Sequence, residues 1–299
     1  VAILSRGYRS KPRPWIDRLR AAFAKDYNTI PPKIVSDGQK VFLDSGEAGD
    51  EPFMLARNLL AQKDRTGVAV VVDKNRVKGG KYAINHLQAD TLLLDDGFQY
   101  IKLQPWLNIL LVDSTNPFHN HEPLPLGLLR EPIKNLRRAD FIFLTKSNGG
   151  NHLRHLRAFL KRHNPRAEII ECNHEPRHFQ DVRSDEQVSL DYIHGKRVAA
   201  ISAIAVPESF ENYLTDLGAT IVYRKRFVDH HRYRAHELRD FINAANKHHA
   251  EILVTTEKDA VRLPELPADM PPFYFLRVEI NILDGIEHFH RCITRICLS

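Results

Sequence analysis

The 299-residue sequence predicts an α/β fold with a mostly parallel sheet, and three observations predict it. Short apolar runs without polar alternation, such as Leu92-Leu93-Leu94, read as strands covered on both faces, the habit of parallel sheets. These runs alternate with helix-like segments, as βαβ units require. The alternation pauses at a polar stretch, His174–Val188, which reads as a linker, and then resumes. Two regions follow from that pause, 1–180 and 181–299.

Val1–Leu4 is apolar and reads as a strand from its first residue. Strands are expected next at Gly67–Val72, Thr91–Leu94, Leu107–Val112 and Phe141–Thr145, each a compact apolar run. Helical patterns lie between them near Pro52–Gln62, Lys81–His86 and Asn151–His163. Beyond the polar stretch, strand Arg197–Ser202, helix Pro207–Leu217, strand Ala219–Tyr223 and helix Ala235–Asn246 form a second series. Strands Ile252–Thr256 and Phe273–Val278 and a helix near Gly285–Ile296 complete it.

A hydrophobic content of 43% and a charged content of 27% are those of an ordinary globular chain, long enough for two cores. No run approaches the roughly 18 apolar residues that span a bilayer, and no signal peptide is visible. Cys172, Cys292 and Cys297 lack CxxC spacing, which argues for a reducing compartment and against a zinc site or disulfide frame. The net charge of +6 is modest. Lys11–Lys25 mixes basic residues with Trp15, Ile16, Leu19 and Phe23, a composition that suits an anionic membrane surface or an ordinary surface helix.

The apolar run Leu92–Leu94 ends in Asp95-Asp96-Gly97. Carboxylates at the C-terminal end of a central strand sit where open α/β sheets bind ligands, and there an Asp can hold Mg²⁺. Asp-Gly is also a turn dipeptide. Ser5-Arg6-Gly7-Tyr8-Arg9 follows the opening strand and would share its edge with Asp95 and Asp96; such a loop can bind phosphate or be a solvated basic loop. Asp50, in Gly49-Asp50-Glu51-Pro52, reads as a helix N-cap or as a general base. Arg130 and Glu131 could flank transferring phosphoryl charge or pair internally. In Asp229-His230-His231 a histidine beside a carboxylate could tune or orient a base, or both histidines could be solvated. Thr255-Thr256-Glu257-Lys258-Asp259 has the composition of a helix start.

In order along the chain stand SRGYR, GDEP, LLLDDGFQ, NPF with LPLGLLREP, a strand ending Leu144-Thr145-Lys146, FVDHHRY and LVTTEKDAVRL. Over nearly the whole length this series closely resembles the tetraacyldisaccharide 4'-kinases, the lipid A 4'-kinases of Gram-negative bacteria. The resemblance implies a P-loop-kinase-like three-layer α/β/α sandwich over 1–180, followed by a smaller C-terminal α/β domain over 181–299. It also implies ATP-dependent, Mg²⁺-dependent phosphorylation of the 4'-hydroxyl of tetraacyldisaccharide 1-phosphate. The expected setting is peripheral, on the cytoplasmic face of the bacterial inner membrane, with that membrane surface as partner and no nucleic acid.

Carried over residue by residue, Asp50 resembles the catalytic base, with His230 or His231 as its partner. Asp95 and Asp96 resemble the Walker B carboxylates that hold Mg²⁺. Arg130 resembles a catalytic cation, and Glu131, Ser5, Arg6 and Tyr8 resemble groups around the nucleotide. The family's Walker A loop is expected upstream of the SRGYR strand, and no GxxxxGK[ST] occurs in the sequence. His119 and His121 replace the usual glycines of an NPFGNG segment. The chain, which opens without Met, is therefore expected to be N-terminally truncated and by itself a poor ATP binder. Two other readings stay open: a catalytically inactive, kinase-derived lipid-binding remnant, and another P-loop small-molecule kinase.

Overall fold

The computed structural model describes residues 1–8, 10–12, 30–150, 152–184 and 186–297. The basic-aromatic stretch Lys11–Lys25 lies outside them apart from Lys11 and Pro12. The chain divides into two compact units, one formed by Val1–Asp95 with Pro176–Val278, the other by Asp96–Glu175 with Glu279–Ser299. This is a division by packing, whereas 1–180 and 181–299 divide the chain along its sequence.

The first unit holds two sheets. One is ordered β2-β3-β1-β4, from β1 (Ala2–Ser5), β2 (Lys33–Ser36), β3 (Ala69–Val72) and β4 (Leu92–Leu94). Strand β1 is parallel to β3 and β4, and β2 joins antiparallel at the far side. On one face Ala2, Leu4, Ala69 and Val71 pack with Ala83 of α3 (Arg76–Leu87). On the other, Ile3, Val35, Val70 and Val72 pack with Ala48 of α1 (Ser45–Ala48) and Ala56 of α2 (Asp50–Asn58). Strand β4 corrects one expectation. It is an edge strand within this sheet rather than a central one, and Leu93 is exposed.

The other sheet of this unit follows the path β10-β9-β11-β12, all parallel, from β9 (Arg197–Ser202), β10 (Thr220–Arg226), β11 (Ile252–Thr256) and the first half of β12 (Phe273–Asp284). Phe210 and Leu214 of α5 (Pro207–Asp216) cover one face. Leu238, Phe241 and Ile242 of α6 (Ala235–Lys247) cover the other. The one-turn helix α7 (Glu257–Ala260) follows β11 directly.

The second unit is built on parallel strands β5 (Ile109–Asp113), β6 (Phe141–Thr145) and the first half of β7 (Glu168–Asp181). Leu153, Leu156 and Leu160 of α4 (His152–His163) pack on one face. On the other, Phe141, Phe143, Ile170 and Cys172 meet Cys292 of α8 (Ile286–Cys297). The presumed linker His174–Val188 is another correction. Most of it is strand, because β7 continues to Asp181 and then pairs antiparallel with β8 (Gln187–Val188) through Phe179↔Val188 and Gln180↔Gln187. Its polar side chains disguised a backbone that is mostly strand.

Candidate functional site

Asp50 is the first residue of α2, and its cap is Gly49, whose φ of 98° and ψ of 154° are open only to glycine. A Cβ on Gly49 would stand 2.9 Å from the Tyr8 carbonyl oxygen, so the SRGY and GDEP loops touch backbone to backbone. Asp50 is therefore no N-cap, and its carboxylate turns to other partners. The side chain is buried, and each oxygen is engaged. Oδ1 accepts from Arg232 Nη2 at 3.0 Å, and Oδ2 accepts from Arg262 Nε at 2.8 Å. Oδ2 also lies 3.3 Å from His230 Nδ1. A carboxylate out of water must be paired, and here two guanidiniums and an imidazole do it.

The two adjacent histidines part ways. His230 has φ of 63°, a left-handed conformation that histidine tolerates better than most residues. Its Nδ1 faces Asp50, while Nε2 lies 3.8 Å from Asp229 Oδ2. The Tyr8 ring meets His230 edge-on at 5.9 Å. His231 instead bonds Glu237 Oε2 through Nε2 at 2.8 Å and stacks on Phe227 at 4.5 Å. Glu237 also caps the backbone N–H of Arg234 at the start of α6, so His231 belongs to a helix cap.

Arg232 and Arg262 had no functional reading in the sequence. Arg232 spans from Asp50 to the Ser45 carbonyl oxygen, 2.6 Å away. Arg262, wholly buried, donates through Nη1 to Asp259 Oδ1 and the Ala203 carbonyl, each at 3.1 Å. Asp259 in turn accepts from Thr256 Oγ1 at 2.7 Å and from the Ala203 N–H at 3.1 Å. Burial pushes the Asp259 carboxyl above its ordinary value, against the opposing pull of Thr256, Ala203 and Arg262. The capping role read for the TTEKD segment is present, since Thr256 accepts from the Asp259 N–H.

The strand-end edge of β1 and β4 holds further candidate residues of the first unit. Their register sets Leu4 opposite Leu94, so Ser5 and Asp95 follow side by side. Ser5 Oγ donates to Asp95 Oδ2 at 2.8 Å, and Arg76 Nη2 reaches the Asp95 carbonyl at 3.2 Å. Gly7, with φ of 70°, turns the chain where a Cβ would meet Val72 at 2.4 Å. Arg6 and Tyr8 stand exposed beyond it.

In the second unit Arg130 Nη1 lies 2.6 Å from both oxygens of Asp96. Both side chains are more than half exposed, so this pair contributes little to stability and can exchange partners readily. Glu131 does not pair with Arg130. It accepts from Asn135 Nδ2 at 2.6 Å and from Arg138 Nη2.

Magnesium keeps most of its waters and needs only one or two protein carboxylates beside substrate phosphates. The hard oxygens of Asp95 and Ser5 fit that requirement, whereas Asp96 is taken by Arg130. A cage of three or more His, Cys, Asp or Glu is absent among the described residues.

A family model described as tetraacyldisaccharide-1-P 4'-kinase, LpxK, matches residues 1–297. The chain belongs to this kinase family. A tetraacyldisaccharide 4'-kinase of Anaeromyxobacter sp. (strain Fw109-5) is 37% identical over 290 residues, covering 96% of this chain and 71% of that protein. One from Syntrophus aciditrophicus is 35% identical, covering 94% and 71%. A solved structure, the "apo" form of LpxK from Aquifex aeolicus in complex with ATP, superposes with a TM-score of 0.69 at 26% identity. It covers 99% of this chain and 78% of that one. Tetraacyldisaccharide 4'-kinases are ATP-dependent lipid A kinases, with Mg²⁺ as the metal expected beside ATP. The chain's α/β fold and mostly parallel strands accord with that membership.

Proposed function

We propose that this chain phosphorylates the 4'-hydroxyl of tetraacyldisaccharide 1-phosphate at the expense of ATP, with Asp50 and His230 activating the hydroxyl. The buried Asp50 carboxylate against His230 Nδ1 is the observation that carries the reading. Phosphoryl transfer demands a positioned hydroxyl and compensated charge more than covalent chemistry. The sugar hydroxyl would lose its proton to the Asp50–His230 pair as its oxygen bonds to the γ-phosphorus and ADP leaves with the bridging oxygen. Asp50 would act as the base. His230 would hold the orientation of that carboxylate, with Asp229 Oδ2 3.8 Å from its other ring nitrogen.

Asp95 and Ser5 would hold Mg²⁺, which when bound neutralises phosphate oxygens. Asp96 resembles the second Walker B carboxylate. Arg130 would trade its exposed Asp96 partner for phosphate, and Glu131 would fix that segment through Arg138. Arg6 and Tyr8, exposed on the loop after β1, would meet the nucleotide. We also propose the division into a nucleotide-binding core over 1–180 and a smaller domain over 181–299. The proposed setting is the cytoplasmic face of the inner membrane, held peripherally and without nucleic acid. None of the described helices is long and apolar enough to cross a membrane.

The full gene product, incubated with γ-labelled ATP, Mg²⁺ and tetraacyldisaccharide 1-phosphate, is expected to yield labelled lipid. Failure to label the lipid, or an Asp50→Asn variant as fast as the parent, overturns the reading.

A further inference from the structure

The segment after β11 does more than start a helix. Three of its side chains grip α2, the helix that presents Asp50. Lys258 Nζ bonds Glu51 Oε1 at 2.6 Å, and Glu257 Oε1 accepts from Asn58 Nδ2 at 2.6 Å. Arg262 reaches Asp50 itself. The grip therefore runs from the first turn of α2 to its last residue, Asn58.

Arg262 is unlike the other two. Lys258 and Glu51 are both over two-fifths exposed, so their pair is a weak surface contact. The Arg262 side chain has no exposure at all and lies between two carboxylates, Asp50 and Asp259. Its Nε and Nη1 are used, and Nη2 is buried without a hydrogen-bond partner among the described residues. An orphaned buried donor is costly to keep. A group merely filling space would be better served by an apolar side chain. What the guanidinium supplies is direction. A planar fork anchored on Asp259 and the Ala203 carbonyl leaves Nε one orientation, and Asp50 Oδ2 must meet it there. The same oxygen faces His230 Nδ1.

We propose that Arg262 is a positioning residue for Asp50, held by Asp259, and that together they fix the carboxylate oxygen that meets His230. The inference rests on the reading of Asp50 and His230 as the hydroxyl-activating pair. The Arg262 side chain has no exposed surface, so it acts through Asp50 rather than on a ligand. It sets the angle at which the pair works, and misplacement on the scale of 1 Å is worth about 10²-fold in rate.

Arg262→Lys and Asp259→Asn separate this from a simple structural role. Lys keeps the charge without the fork, and Asn keeps the side-chain shape while weakening the anchor. The kcat of the full gene product is expected to fall about 10-fold to 100-fold in Arg262→Lys, and less in Asp259→Asn, with KM for ATP and lipid changed less than about twofold. The pH–kcat profile should change shape in both, because Asp50, His230, Arg232, Asp229 and Asp259 all sense the displaced guanidinium. Native circular dichroism is required of each variant. If Arg262→Lys does not fold, Asp259→Asn alone decides. A parent kcat and profile in the folded variants, or losses that only track the folded fraction, overturn the proposal. A wild-type protein that fails to label lipid overturns the underlying kinase reading instead. In that event the histidine-ring ¹⁵N spectrum decides on Arg262. An altered His230 Nδ1 signal in the variants supports positioning, and an unchanged one refutes it.

Discussion

Asp50 Oδ2 and His230 Nδ1 lie 3.3 Å apart although 180 residues separate them in the chain. The one sits at the first position of α2, the other in a left-handed turn after β10. That relationship separates His230 from its neighbour. His231 is spent on Glu237 and on the ring of Phe227.

The histidines should therefore differ sharply when replaced. His230→Gln is expected to lower kcat by about 10²-fold to 10⁴-fold with the fold intact, the usual range for a lost acid–base partner. His231→Gln should leave kcat within about twofold and lower stability by roughly 0.5–2 kcal/mol, the range for a weakened helix cap. Steady-state kinetics and thermal melts on both variants check this. Equal kinetic effects would show that the turn, not the Asp50 contact, governs activity.

Much of this arrangement was readable in the sequence. Apolar runs marked the strands, since burial on both faces leaves no polar alternation, and Leu92–Leu94 is a strand as read although Leu93 is exposed. What period cannot show is pairing order. Nothing in Leu92-Leu93-Leu94 says that β4 is the edge of β2-β3-β1-β4, and the short antiparallel β2 left no signal strong enough to read. The Arg262 contact was hidden for a similar reason, since 212 residues separate it from Asp50. For His231 a local signal did exist. Arg234 to Glu237 has capping-box spacing and points to the acceptor that occupies that ring.

The three thiols should differ in reactivity. Burial pushes Cys292 up to about 11, and burial also raises Cys172, whereas Cys297 is exposed. At pH 8 iodoacetamide is expected to modify Cys297 within minutes and to leave the other two intact until denaturant is added. Peptide mass spectrometry reads the sites. Rapid native labelling of Cys172 would contradict its place in the core between β7 and α8.

Acid stability has an identifiable contributor away from the candidate site. Glu211 on α5 is buried and takes a two-pronged bond from Arg226 of β10, Nε at 2.7 Å and Nη2 at 2.8 Å. That bond, opposed by burial and aided by the charges of Arg226 and Arg224, holds the Glu211 carboxyl below its ordinary value. A carboxyl depressed in the folded state binds its proton more readily when unfolded. Its contribution is thus complete above the ordinary, unfolded carboxyl value and drains away as pH falls through the lower folded value. Glu211→Gln should lower the melting temperature at pH 7, and the gap to the parent should narrow as pH falls through and below the ordinary carboxylate range. A gap independent of pH would assign the loss to packing.

Gly49 offers a direct test of how tightly the loops around Asp50 are set. Its φ of 98° is strained for any side chain, and a Cβ would meet the Tyr8 carbonyl at 2.9 Å. Gly49→Ala is expected to cost about 1–3 kcal/mol of stability, the price of a non-glycine residue in this backbone region. Leu214→Ala, wholly buried on α5 among Phe210, Val254 and Leu276, should cost about 2–5 kcal/mol by leaving a cavity. The glycine variant is the milder lesion for the fold, yet it shifts the residue immediately before Asp50. It should lose more kcat than Leu214→Ala when both are assayed well below their melting temperatures. If activity instead follows stability alone, the Gly49 turn serves the fold and Asp50 tolerates movement.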